Sequence, residues 1–304
     1  MKVLITGSNG LLGQKLVKYC QNNGVDFLAT SSGDNRNPEL NSRKYRTLDI
    51  TDPNSVVELV NYSKPTHIIN TAAITNVDAC EDDFELCQDV NVEAVQSLFD
   101  TCKSNNIHFQ HLSTDFVFDG VKGNYSENDE VNPLSVYAKS KVSSENILRK
   151  SDYHNWSIVR TIIVFGAGHS LSRSNIVLWA RDALINGQVL TIVNDQFRAP
   201  TWADDLAKGC MLILEKNKKG IYHIGGPKTF SVYELVQKIA QFKNLSDSCV
   251  MPVSSGQLSQ KAPRPPKTGF NLSKARIELG YAPISFEESL KVLEFELNSE
   301  KYNS

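Results

Sequence analysis

Short apolar runs alternate with amphipathic stretches through the first half of the chain. "KVLI" is followed by "LLGQKLVKYCQNNG", where Leu12, Leu16, Val17 and Cys20 repeat at helical spacing and Gly24 marks a stop. "DFLAT" and "YRTLDI" predict two further strands, "PNSVVELVNYS" a helix and "HIINTAA" a fourth strand. One long helix is predicted through "FELCQDVNVEAVQSLFDTCKSNN", with Leu86, Val90, Val95, Leu98, Phe99 and Cys102 on one face. "HFQHLST" and "SIVRTIIVF" complete the strands. Strands alternating with helices of roughly ten or more residues predict an α/β fold, a doubly wound parallel sheet of Rossmann type. Such a sheet binds its ligand beyond the carboxyl ends of the strands.

After about residue 165 the alternation weakens. "NIVLWARDALIN", "SVYELVQKIAQF" and "SFEESLKVLEFEL" predict helices, "QVLTIVN" and "GIYHIGG" strands, around the proline-rich "KAPRPPKTGF". The expected division is a dinucleotide-binding domain over 1–165 and a smaller carboxy-terminal substrate domain over 166–304. Part of the latter, near 196–225, is expected to return to the first sheet through "GIYHIGG".

Composition narrows the partners. A formal net charge of −2, with lysines and arginines scattered, gives no electrostatic support for nucleic acid or a membrane surface. Six cysteines without a Cys-x-x-Cys pair, mostly in apolar helical patterns, read as reduced core residues of a cytoplasmic protein. The start is too short in apolar residues for a signal peptide, and no later segment approaches a membrane span. His108 and His111 would point to opposite faces of a strand, so no metal site is expected.

"ITGSNGLLGQKL" places Gly7, Gly10 and Gly13 between the first strand and the first helix. Glycines there permit a tight turn, let backbone approach a pyrophosphate and let helix pack closely on strand. About 20 residues on, where an acid would hold a ribose 2′-hydroxyl, the chain reads "LATSSGDNR". Ser31, Ser32 and Arg36 suit a 2′-phosphate, so NADP(H) is the preferred cofactor; Asp34 keeps NAD(H) open. Asp49 and Ile50, closing the predicted third strand, are placed to flank the adenine.

"SVYAKSK" sets Tyr137 and Lys141 one helical turn apart on the same face. Twenty-three residues earlier, "HLSTDFVFDG" ends a predicted strand at Ser113, Thr114 and Asp115, on the edge where the glycine turn would hold a cofactor. An ammonium on Lys141 near the Tyr137 phenol would favour its ionised form and make it a better proton donor. Thr114 can bond the same substrate oxygen, and Lys141 can hold the nicotinamide ribose. Reduction of a carbonyl is the simplest reaction these groups can run.

The ordered set "TGSNGLLG", "LDITD", "NTAA", "VNVEAV", "LSTDFVFDG", "YAKSK" and "VRTIIVFG" resembles the extended short-chain dehydrogenase/reductases. "STDFVFDG", "DQFRAPT" and "GIYHIGG" are most similar to those of the dTDP-4-dehydrorhamnose reductases within that family. The resemblance covers essentially the whole chain. It implies a Thr114–Tyr137–Lys141 triad and NADPH-dependent reduction of the 4-keto group of a nucleotide-linked deoxysugar. It also implies cofactor contacts from Gly7, Gly10, Leu11, Gly13, Asp49, Ile50, Ala72, Ala73 and Asn91, and substrate contacts from Thr114 and Asp115. The stretches 86–103 and 137–150 match helices through which many relatives form a homodimer.

Two positions depart from the rhamnose reductases. Ile163 stands where they carry a tryptophan against the sugar, and Arg198 where they have a glycine. Arg198, with Arg264 of "APRPPKTGF", is more similar to the diphosphate clamp of nucleotide-sugar epimerases. An epimerase therefore stays open as an alternative. Dehydration is disfavoured because Thr114 is followed by Asp115-Phe116, without the family's glutamate. A second alternative is a non-catalytic regulatory subunit, because that of methionine adenosyltransferase resembles the same reductases.

Overall fold

The computed structural model describes residues 1–258 and 260–299. Seven parallel strands form the central sheet: β1 (Lys2–Thr6), β2 (Asp26–Ser31), β3 (Tyr45–Thr47), β4 (His67–Asn70), β5 (His108–Thr114), β6 (Trp156–Thr161) and the strand Gly220–His223. Their order across the sheet is Gly220–His223, β6, β5, β4, β1, β2, β3. Strand order reverses between β1 and β4, which is where a doubly wound sheet opens its ligand crevice.

Alternation along each strand builds a core on both faces. Val3 and Ile5 of β1 pack with Leu16, Val17 and Cys20 of α1 (Leu11–Asn22), and with Leu206 and Cys210 of the helix Ala203–Glu215. Leu4 faces the opposite layer, with Val56 and Val60 of α2 (Pro53–Ser63) and Val95, Leu98 and Phe99 further along. Covered on both sides, β1 reads as an unbroken apolar run. A separate apolar core lies in the carboxy-terminal half, where Val177, Ile192, Trp202, Leu235, Phe286 and Leu290 meet.

Three elements differ from their sequence pattern. The long helix predicted from Phe84 is three pieces: α4 (Phe84–Gln88), a π-helical turn (Asp89–Glu93) and α5 (Ala94–Asn105). The extra residue per turn swings Asn91 inward, and π turns of this kind occur often at functional sites. The predicted "YRTLDI" strand ends at Thr47, so Asp49 and Ile50 lie beyond β3 rather than closing it. "SIVRTIIVF" divides into β6 and a short strand Val164–Phe165, which pairs with Thr201–Trp202. The break falls at Ile163, a β-branched residue held at φ 28°. Among the described residues no helix is long and apolar enough to cross a membrane, and no group of three or more His, Cys, Asp or Glu could hold a metal.

Candidate active site

The glycine turn joins β1 to α1. Gly7 has φ 69°, and a Cβ built on it would lie 2.7 Å from the backbone nitrogen of Ala72. A Cβ on Gly13 would lie 2.4 Å from the Gly7 carbonyl oxygen and 2.5 Å from Ser8 Cα. No side chain caps α1 at Gly10, so no capping group takes its first N–H groups. Ser8 Oγ is buried without a hydrogen-bond partner among the described residues. A close-approach cradle, open amides and an unspent buried hydroxyl fit a dinucleotide pyrophosphate.

Asn9, which sequence reasoning missed, ties this turn to the loop after β2. Its Nδ2 donates to the Asp34 carbonyl at 2.8 Å, and its Oδ1 accepts from the Arg36 backbone N–H at 2.9 Å. The bracket brings Ser31, Ser32 and Arg36 beside the turn; the last two are exposed. Leu11 opens α1 half-buried. Asp49 is exposed and accepts the Thr51 N–H and hydroxyl, while Ile50 is buried. Ala72 and Ala73 follow β4, half-buried against the turn. Asn91 brackets the same segment from below: it exchanges two hydrogen bonds with the Ile74 backbone and donates to Ser140 Oγ at 3.1 Å. Its amide is fully spent inside the protein, so it supports the Ala72–Ala73 ledge through Ile74 rather than presenting a free group.

Thr114 ends β5, and Tyr137 and Lys141 lie on α6 (Val136–Arg149), capped by Ser135. All three are buried, and the Thr114 hydroxyl stands near enough to the Tyr137 phenol to lower its pKa. The helix is locked in register by a buried ion pair: Glu145 takes Arg160 of β6 at 2.6 Å and Ser113 of β5 at 2.6 Å. Phe116 meets the Tyr137 ring edge-on, and Cys80 and Cys87 close the apolar pocket around it. Burial raises the Tyr137 phenol far above its ordinary range; the Thr114 hydroxyl opposes this and Asp115 adds to it.

Lys141 is not placed as its spacing suggests. The i+4 geometry is present, but its Nζ lies 3.1 Å from His111 Nε2 of β5. Burial lowers it to about 8, against a smaller opposing pull from Glu145. The leading causes of the Tyr137 shift are burial, Thr114 and Asp115 rather than Lys141. A shared helix face fixes proximity, whereas the partner was decided by a strand 30 residues earlier.

The expected clamp is also differently engaged. Arg198 is only 3% exposed. Its guanidinium donates to the Phe197, Pro265 and Pro266 carbonyls, stacks 5.4 Å over Phe116 and lies 4.0 Å from Asp115. It braces the wall behind Thr114 instead of reaching across. Asp115 is likewise spent on Thr114 and Thr268. Burial raises its carboxyl pKa, and Arg198 counters part of that rise. Arg264 is partly exposed and donates to Asp78 of α3 (Val77–Asp82) at 2.7 Å; this pairing holds Asp78 below the ordinary carboxylate range. Lys261 pairs with Asp82 beside it. Each arginine also takes a partner far along the chain, Pro265 for Arg198 at a separation of 67 residues and Asp78 for Arg264 at 186.

The reversing parallel sheet, the glycine cradle and the Thr–Tyr–Lys cluster at the carboxyl edge define a Rossmann-type fold of the extended short-chain dehydrogenase/reductase kind. The chain belongs to the RmlD substrate binding domain family, matched over residues 1–297. It is 32% identical to a dTDP-4-dehydrorhamnose reductase of Aggregatibacter actinomycetemcomitans, over 95% of this chain and 97% of that one. It is 30% identical to methionine adenosyltransferase 2 subunit beta of Danio rerio, over 91% and 84% of the two chains. The solved dTDP-4-dehydrorhamnose reductase of Bacillus anthracis, in complex with NADP, is 26% identical with a TM-score of 0.81, covering 97% of this chain and 99% of that one.

Proposed function

We propose that this protein reduces the 4-keto group of a nucleotide-linked deoxysugar with NADPH, and that dTDP-4-dehydrorhamnose, giving dTDP-rhamnose, is its substrate. The observation that carries the reading is the buried Thr114–Tyr137 pair at the end of β5, with Lys141 one turn along α6, on the edge where the glycine turn opens. Its support from relatives is the pair of reductases named above, one of them holding NADP.

In this reading Gly7, Gly10, Leu11 and Gly13 hold the pyrophosphate, and Ser31, Ser32 and Arg36 hold the 2′-phosphate. NADPH supplies the two-electron reducing equivalent. Tyr137 gives its proton to the carbonyl oxygen, and its raised pKa keeps the phenol protonated until that oxygen becomes basic. Thr114 orients the tyrosine hydroxyl, and Lys141 holds the cofactor ribose. Arg264 exchanges Asp78 for substrate phosphate. We further propose a nucleotide-binding lobe over 1–165, a substrate lobe over 166–304, and a homodimer through the helices around 86–103 and 137–150.

The test is NADPH oxidation by purified protein with dTDP-4-dehydrorhamnose and other nucleotide-4-ketosugars, followed at the nicotinamide absorbance. Stoichiometric oxidation with dTDP-rhamnose as product is expected. Epimerised product without net oxidation would replace the reading with an epimerase. NADP(H) binding without turnover on any nucleotide sugar would favour a regulatory subunit.

A further inference from the structure

Three residues in register across the central sheet make a polar row in an otherwise apolar layer. Thr6 of β1 pairs with Asn70 of β4, and Asn70 with His111 of β5. Their side chains are linked in turn: Thr6 Oγ1 is 2.6 Å from Asn70 Oδ1, and Asn70 Nδ2 is 3.4 Å from His111 Nδ1. The far side of the imidazole reaches α6, with Nε2 3.1 Å from Lys141 Nζ and 3.0 Å from Ser144 Oγ. Every member is buried. Buried polar groups are tolerated only when bonded, so the row is a built feature joining the glycine turn to the lysine.

A charged ammonium can only donate, so the ring nitrogen facing Lys141 must accept. That puts the imidazole hydrogen on Nδ1; the Asn70 amide then turns its oxygen to the ring and its nitrogen to Thr6 Oγ1, and Ser144 Oγ, whose hydroxyl donates to the Lys141 carbonyl, is bonded by Nε2 only in the other tautomer. Once Lys141 loses its proton, the opposite arrangement is favoured: Nε2–H donates, to the free amine or to Ser144 Oγ.

We propose that His111 is the positioning residue for Lys141, a neutral imidazole whose Nε2 holds the ammonium and whose tautomer follows the charge on the lysine. The inference rests on the reading above, in which Lys141 serves the cofactor. The other titratable groups facing Lys141 are Glu145 on its own helix and the Cys87 thiol of α4; Tyr137, with Asp115 and Cys80 beside it, is one turn back. Burial, reinforced by Lys141, holds His111 well below its ordinary range and so neutral.

Histidine labelled with ¹⁵N in the full ligand-free chain reads the tautomer directly, with His111 assigned by its absence in His111→Gln. From about pH 6.5 to about 9.5 the signal should pass from Nδ1–H to Nε2–H with a midpoint near the Lys141 value of about 8. Lys141→Met should abolish the transition. An imidazole fixed as Nε2–H throughout, or a transition unaffected by Lys141→Met, overturns the proposal. In turnover, His111→Leu should lose about tenfold in kcat and move the alkaline limb about one unit lower, the worth of one hydrogen bond to a charged group. His111→Gln, which restores an acceptor, should recover most of both. A wild-type pH profile in His111→Leu also overturns the proposal. Should His111→Leu not fold, the spectra of wild type and Lys141→Met still decide. Absence of turnover in the wild type would remove the proposed function, while the tautomer measurement would judge His111 independently.

Discussion

On the β1 side of the site the glycine turn is held by buried contacts: Asn9 to the following loop, Thr6 to Asn70, and the Gly7–Gly13 contact itself. On the opposite side, residues 261–264 are tied to α3 by the partly exposed pairs of Lys261 with Asp82 and Arg264 with Asp78. Buried bonds are unscreened and costly to break, whereas exposed pairs contribute about 0–1 kcal/mol each and weaken within a Debye length of about 8 Å at physiological salt. The neighbouring residues 265–268 are anchored more deeply, through Arg198 and Asp115. The glycine-turn side is thus fixed throughout by buried bonds, and the opposite side is fixed at one end and latched at the other.

The comparison is broken most severely at the chemistry between the two sides. Tyr137→Phe should lower kcat by about 10²–10⁴ with fold and NADPH affinity kept, measured by steady-state kinetics and cofactor titration. Near-normal turnover would take the tyrosine out of the mechanism. On the rigid side, Gly13→Ala cannot be absorbed without moving the Gly7 carbonyl, and NADPH should bind about a hundredfold more weakly while circular dichroism is unchanged. Arg36→Ala should weaken NADPH about tenfold and leave NADH nearly unaltered, because only the former carries a 2′-phosphate. Equal losses would count against the assignment.

Lys141 offers a pH test of the same rigidity. Its folded pKa, about 8, lies below the ordinary 10.5, so above 8 the unfolded chain holds a proton that the folded chain has released. Its destabilising effect is full below pH 8 and is relieved as pH rises toward 10.5. The Tm of wild type relative to Lys141→Met should therefore rise through that window; a flat difference would contradict the burial. The smallest effect belongs to the latch. Asp78→Asn frees Arg264 and should change the KM for the nucleotide sugar by no more than about threefold, while reducing its dependence on salt.

These sides were unequally legible in the sequence. Gly7, Gly10 and Gly13 announce themselves because their requirement is local: a turn conformation and a contact only a few residues away. The strand His108–Thr114 was readable to its ends for the same reason. The π turn at Asp89–Glu93 left the apolar stripe of α4 and α5 intact and so was invisible to periodicity. Asn9, His111, Arg198 and Arg264 take partners between 25 and 186 residues away, and no spacing rule encodes which carbonyl or carboxylate comes nearest.

Asn9 holds the loop at Asp34 and Arg36 by main-chain atoms alone. The side chains of that loop can therefore be exchanged without loosening its attachment, which separates where the loop sits from what it recognises. Under the proposed function, a lineage could drift from a phosphorylated to an unphosphorylated ribose by substitutions at positions 31 to 36, with no compensating change in the glycine turn. On that reading cofactor choice is the evolvable part of this site, and the bracket beneath it makes such drift easy.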